Sequence, residues 1–205
     1  MELELTYPDT AVIRVPSEAR GEEGWARRAA LRFGETAGAD AALVRRIEAA
    51  LDQLVQLAQA DRRTLLLVSV PGAAMAPFTI FVSETAPTLQ EQAEFLWSPN
   101  AVLPPTPGRT PSAHLGEGFS ATLLHREPER DFATRRWLFF GSDRAVGALL
   151  GPVLAPYALA VLEPIAEDIL AGSRVDGFVP DAAEARLAEL EAACARAGET
   201  WDLQR

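Results

Sequence analysis

Four side chains able to do chemistry stand two apart in the sequence: His125, Glu127, Glu129 and Asp131. On an uninterrupted strand, alternation would carry all four to one face, where an imidazole and three carboxylates could converge on a metal ion. Pro128 breaks the run, and Arg126 and Arg130 bring counter-charges of their own. The pattern therefore reads as a solvated hairpin tip, with the metal face as the sharper alternative. The only other imidazole, His114, falls in a separate proline-rich stretch. Ser120, His125 and nearby acids are also the types a nucleophilic triad requires. No G-x-S-x-G elbow surrounds any serine, and residues five apart on one strand face opposite ways. Hydrolase chemistry of that kind is not expected.

Arg135 and Arg136 precede Trp137, and Arg27 and Arg28 follow Trp25 closely. An arginine beside an exposed tryptophan can hold an anion or a planar group, and both types recur at the centres of protein interfaces. Plain strand alternation, with arginine outward and tryptophan inward, gives the same spacing. The nucleotide-binding loops G-x-G-x-x-G and G-x-x-x-x-G-K-[ST] are absent. All 19 basic residues are arginine, as a GC-rich coding sequence would produce. A lysine Schiff base or a phosphate-loop lysine is thereby excluded. The single cysteine, Cys194, rules out an internal disulfide and any multi-cysteine metal site, and it reads as a small core residue. No cofactor is expected.

The elements that must position these residues centre on Asp40 to Ser83. Leu43, Val44, Ile47, Leu51, Leu54, Val55 and Ala58 form the stripe of a half-buried helix that Asp40 caps and that should end near Asp61. Thr64–Val70 and Phe78–Ser83 read as strands separated by Pro71-Gly72. Ahead of them, Glu2–Tyr7 and Ala11–Val15 look like the two arms of a hairpin, and Trp25–Phe33 leans towards a strand. Thr88 and Glu91 make a capping box for a helix to Trp97. Ser98–Gly118 contains Pro99, Pro104, Pro105, Pro107 and Pro111 and reads as a structureless insertion. Gly118–His125 and Thr134–Gly141 read as a second pair of strands, with Ala145–Leu150 a candidate third. A helix from about Glu163 carries Pro164 in its first turn, and Asp181–Ala197 is a final helix with Leu187, Leu190 and Cys194 as its stripe.

The AVIRVP segment, the RRWLFFG strand and the closing LEPIAEDILAGSRV resemble the PsbP-like superfamily, over roughly Met1 to Val175. The resemblance implies an α/β/α sandwich and a role in binding or assembly rather than catalysis. The expected fold is α+β: a mostly antiparallel sheet flanked by helices in residues 1–175, with 176–205 a linker and appended helix.

With 19 basic against 29 acidic residues, the net charge of −10 disfavours nucleic acid and anionic membranes and favours a basic protein partner. MELELTYPDT has neither the basic nor the apolar part of a signal peptide, and no apolar run reaches the roughly 20 residues of a membrane span, so the expected setting is the cytoplasm. The expected function is a non-enzymatic protein-interaction or assembly module. Its candidate contacts are Arg135, Trp137, Pro104, Pro105, Pro107 and His114, and Asp181–Ala197 could join two copies. The competing class is an enzyme or small-molecule binder with a pocket between the sheet and the Ser98–Gly118 loop, using Arg135, Trp137, His125 and Glu127.

Overall fold

Asp40 accepts a hydrogen bond from the Leu43 amide at 2.8 Å and so starts a helix that buries Leu43, Ile47, Leu51 and Val55. The computed structural model in which this is seen describes residues 3–98, 101–102, 107–127, 130–181 and 184–199, with side chains except at 185 and 196–199. The helices are α1 (Trp25–Ala37), α2 (Ala41–Leu57), α3 (Leu89–Leu96), α4 (Tyr157–Gly172) and α5 (Glu184–Glu199). The strands are β1 (Leu3–Glu4), β2 (Val12–Val15), β3 (Arg62–Ser69), β4 (Ala74–Val82), β5 (Gly108–Ser112), β6 (Gly116–Arg126), β7 (Asp131–Phe140), β8 (Ala145–Val153) and β9 (Arg174–Val175). Seven of them form one antiparallel sheet in the order β2-β3-β4-β8-β7-β6-β5, while β1 pairs with β9.

Strand alternation divides the sheet's apolar residues between two covered faces. On one, Leu65, Leu67, Phe78, Ile80, Trp137 and Val146 pack beneath α4, with Phe78 and Trp137 meeting edge to face at 5.9 Å. The other face is covered in two parts. Ile13, Val15, Leu66 and Val68 lie under α1 and α2, whereas Phe119, Ala121, Leu123, Leu138 and Phe140 lie under α3 and α5. The expected α+β fold, an antiparallel sheet between helices, is the one observed.

Four expectations are corrected. Trp25–Phe33 is helical, because Ala26, Ala29, Ala30 and Phe33 make an i, i+3, i+4, i+7 stripe, and Gly34 lets α2 approach. A Cβ on Gly34 would stand 2.6 Å from Val44 Cγ2. The N-terminal hairpin does not form: Leu3 pairs with Val175, and β2 pairs with β3. A strand's own residues do not name its partner.

The proline-rich stretch is partly a strand. Gly108–Ser112 lies at the sheet edge against β6, where Pro111 is tolerated as it would not be in a central strand. Helix α4 starts at Tyr157, six residues before Glu163, with Pro164 inside it. Pro164 and Ala160 both lie on the exposed side, so the carbonyl left without its helical donor can turn to water. Helix α5 packs on the body of the chain, over the sheet, as an appended helix can. Leu187, Leu190 and Cys194 are 0%, 1% and 4% exposed, so the stripe expected to join two copies is buried within one. No helix among the described residues is long and apolar enough to cross a membrane.

Candidate binding surface

Among the described residues, those expected to form a site do not assemble. Trp137 is fully buried beneath α4 and cannot be a surface contact, which corrects that expectation. Arg135, on the same face of β7, lies 5.6 Å from the Trp137 ring centre. It donates to Glu163 at 2.8 Å, Ser120 at 2.9 Å and Thr122 at 3.1 Å, tying α4 to the sheet. Its work is architectural.

His125 points to the opposite face, as the five-residue spacing from Ser120 requires. It stacks on Phe132 at 4.7 Å, and its Nε2 lies 3.2 Å from the Thr134 hydroxyl. Burial first, and then the charge of Arg136, hold its pKa below the ordinary imidazole value. Arg136 itself donates to the Phe95 carbonyl at 2.7 Å. At the hairpin tip the carboxylates face arginines, Glu127 with Arg130 at 3.5 Å and Asp131 with Arg126 at 3.2 Å. Glu129 lies outside the described residues, and among those described no group of three metal-ligating side chains converges.

His114 sits in the exposed turn between β5 and β6 and accepts from Arg174 Nε at 3.2 Å. Pro107 is half-buried just ahead of β5, and Pro104 and Pro105 lie outside the described residues. Cys194 is buried, and desolvation pushes its thiol up to about 11, out of the range of a reactive thiolate.

A different surface has the attributes of a site. Strand β2 is the first of the seven, so one of its sides has no neighbouring strand. The Val68 amide donates to the Ala11 carbonyl at 2.9 Å, and the ladder continues through Ile13 with Leu66 and Val15 with Thr64. Antiparallel alternation then turns the N–H and C=O groups of Val12 and Arg14 away from β3. Among the described residues, no backbone group takes them up.

Beside this edge runs a trench of about 420 Å³. Its far wall is a single stripe of α1, formed by Trp25, Ala29, Arg32, Phe33 and Thr36, and its floor is Ile13. Tyr7 and Asp9 line it on the other side of β2. A second hollow of about 260 Å³ adjoins it, lined by Arg14, Val15, Glu18, Arg62, Arg63 and Thr64. Arg14 borders both.

The two hollows gather Arg14, Arg32, Arg62 and Arg63 against Asp9 and Glu18, four positive groups to two negative in a chain of net charge −10. Glu18 is held below the usual carboxylate range by its backbone hydrogen bond first, then by the Ser17 hydroxyl and the charges of Arg14 and Arg63. Asp61 lies 3.3 Å from Arg62.

The opposite edge of the sheet differs. There Pro111 has no N–H to offer a further strand, and Arg109 is drawn onto α5 by Glu184 at 2.8 Å and Glu191 at 3.0 Å. Sequence reasoning did not single out the β2 edge, because a strand's place in a sheet is not written in its own residues. The available signals were the brevity of AVIRV, the proline closing it and Trp25 shortly after.

Compared with known proteins, the chain matches no family model, no curated protein and no solved structure.

Proposed function

We propose that the chain is a non-enzymatic interaction module that captures an extended segment of a partner protein by strand addition at β2. The observation that carries this reading is the open edge itself: the outward backbone groups of Val12 and Arg14 beside a trench walled by Trp25, Ala29, Arg32, Phe33 and Thr36. In strand addition, main-chain hydrogen bonds supply affinity and a pocket for alternate side chains supplies selectivity. At a rise of about 3.3 Å per residue, the four residues of β2 match a segment of roughly four or five residues.

The resemblance to PsbP-like sandwiches supports a binding role over a catalytic one. The enzyme reading is weakened by geometry, since Arg135 and Trp137 share one face of the sheet, His125 occupies the other and Glu127 is exposed at the hairpin tip.

The test is to select binders from a phage-displayed random-peptide library and follow amide hydrogen exchange in the complex. Selected peptides should protect the Val12 and Arg14 amides. Peptides that bind elsewhere and leave both amides exchanging freely would reject strand addition.

A further inference from the structure

The hollows around β2 also say what the captured segment should look like. Resting on the strand-addition reading, we infer that its occupant is an extended protein segment alternating apolar and acidic residues, with a carboxylate set against Arg14. A strand laid along β2 would send alternate side chains to opposite faces. Those on the α1 side enter the trench over Ile13, where Trp25, Ala29 and Phe33 offer apolar contact alongside the polar groups of Arg32 and Thr36.

Those on the other side come level with Arg14, whose side chain leaves β2 on the same face as Val12 and Leu65. Arg63, two residues from Leu65 on β3, carries a second guanidinium to that face. Neither Arg14 nor Arg63 has an ion-pair partner within 4 Å among the described residues, although Glu18 lies within the field of both. Directly opposed unlike charges on neighbouring strands attract, and like charges repel. Local charge thus selects an acidic segment, although the chain's overall charge would draw a basic protein.

The probe is the same random-peptide library, selected against the wild-type protein and against the double variant Arg14→Glu, Arg63→Glu. Wild-type selection should enrich Asp or Glu at alternate positions between apolar residues. These peptides should lose roughly three- to tenfold in affinity for the double variant, which should itself select Lys or Arg at the same positions. Glu18→Gln, an exposed change that removes one of the two competing carboxylates, Asp9 being the other, without touching the core, should tighten acidic peptides by about twofold.

Selected peptides that protect the Val12 and Arg14 amides with no preference for acid would overturn the charge inference and leave strand addition standing. Failure to select any peptide, or peptides that leave those amides unprotected, would overturn both. If the double variant loses its cooperative melting transition, Glu18→Gln and the composition of the wild-type pool decide the matter. A pool without acidic enrichment, or unchanged affinity in Glu18→Gln, would count against the inference.

Discussion

Arg135 on β7 and Glu163 on α4 meet at 2.8 Å across the helix–sheet interface, with 18% and 28% of their side chains exposed. The guanidinium also serves Ser120 and Thr122 on β6, so one side chain joins a helix and two strands. Glu163→Gln should therefore destabilise the fold by about 1–2 kcal/mol, more than a surface pair is worth and less than a fully buried one. Urea denaturation checks this, and peptide capture at β2 should be unchanged because the pair lies on a different part of the molecule.

The open edge separates two proline substitutions at adjacent positions. Ile13→Pro removes a donor from the β2–β3 ladder and the buried Ile13 side chain, so it should cost about 3 kcal/mol or more. Arg14→Pro removes an outward donor at an exposed position and should cost roughly 1 kcal/mol or less, while abolishing strand addition. Arg14→Gln keeps the donor and should retain capture, so the backbone and charge contributions of this residue are separable.

Stability should fall on mild acidification through His125. Its folded pKa lies below the unfolded value, so below about pH 6.5 the unfolded chain binds more protons than the folded one. The stabilisation is complete above that value and is lost as pH falls towards the folded pKa. Thermal melts between about pH 7.5 and about pH 5.5 should show the decline, and His125→Phe should flatten it at a cost of about 1 kcal/mol for the hydrogen bond to Thr134. An unchanged slope in His125→Phe would assign the effect to other groups.

If α5 covers the sheet, Cys194 is its reporter. Burial and a thiol pKa of about 11 should make it slow towards disulfide reagents in the native protein. Leu187→Ala removes a fully buried side chain packed on the same cluster and should cost about 2–5 kcal/mol while speeding the labelling of Cys194. Rapid native labelling would contradict the packing of α5.

Gly147 tests the close packing at the middle of the sheet. An added Cβ would lie 2.3 Å from Phe81 Cζ and within 3 Å of two further ring carbons. Gly147→Ala should therefore destabilise by about 1–3 kcal/mol. In combination with Phe81→Leu the two changes should cost less than their sum, since the smaller side chain removes the clash.

Much of this fold is legible in the residues. Asp40 and the stripe to Val55, the Thr88–Glu91 capping box and the two apolar runs of β6 and β7 joined by a charged turn are local signals, and local signals suffice for elements of that kind. In helix α1 the aromatic ends, Trp25 and Phe33, suggest a strand, whereas the helical signal lies in the spacing of Ala26, Ala29, Ala30 and Phe33 against the arginines between them. The pairing of Leu3 with Val175, some 170 residues apart, has no local signature.

The candidate surface was obscured for the same reason. Arg14 and Arg63 are nearly fifty residues apart, and their shared face exists only once β2 lies against β3. Arginine beside tryptophan marks an interface and plain strand alternation alike, and at Trp137 burial alone tells the two apart.

The central claim is that β2 presents an open edge able to accept a strand, and residue-resolved amide exchange tests it most directly. In the free protein the Val12 and Arg14 amides should exchange rapidly while those of Ile13 and Val15 are protected, and a captured peptide should protect all four. Val12 and Arg14 amides already protected in the free protein would show the edge to be covered, and would contradict the account.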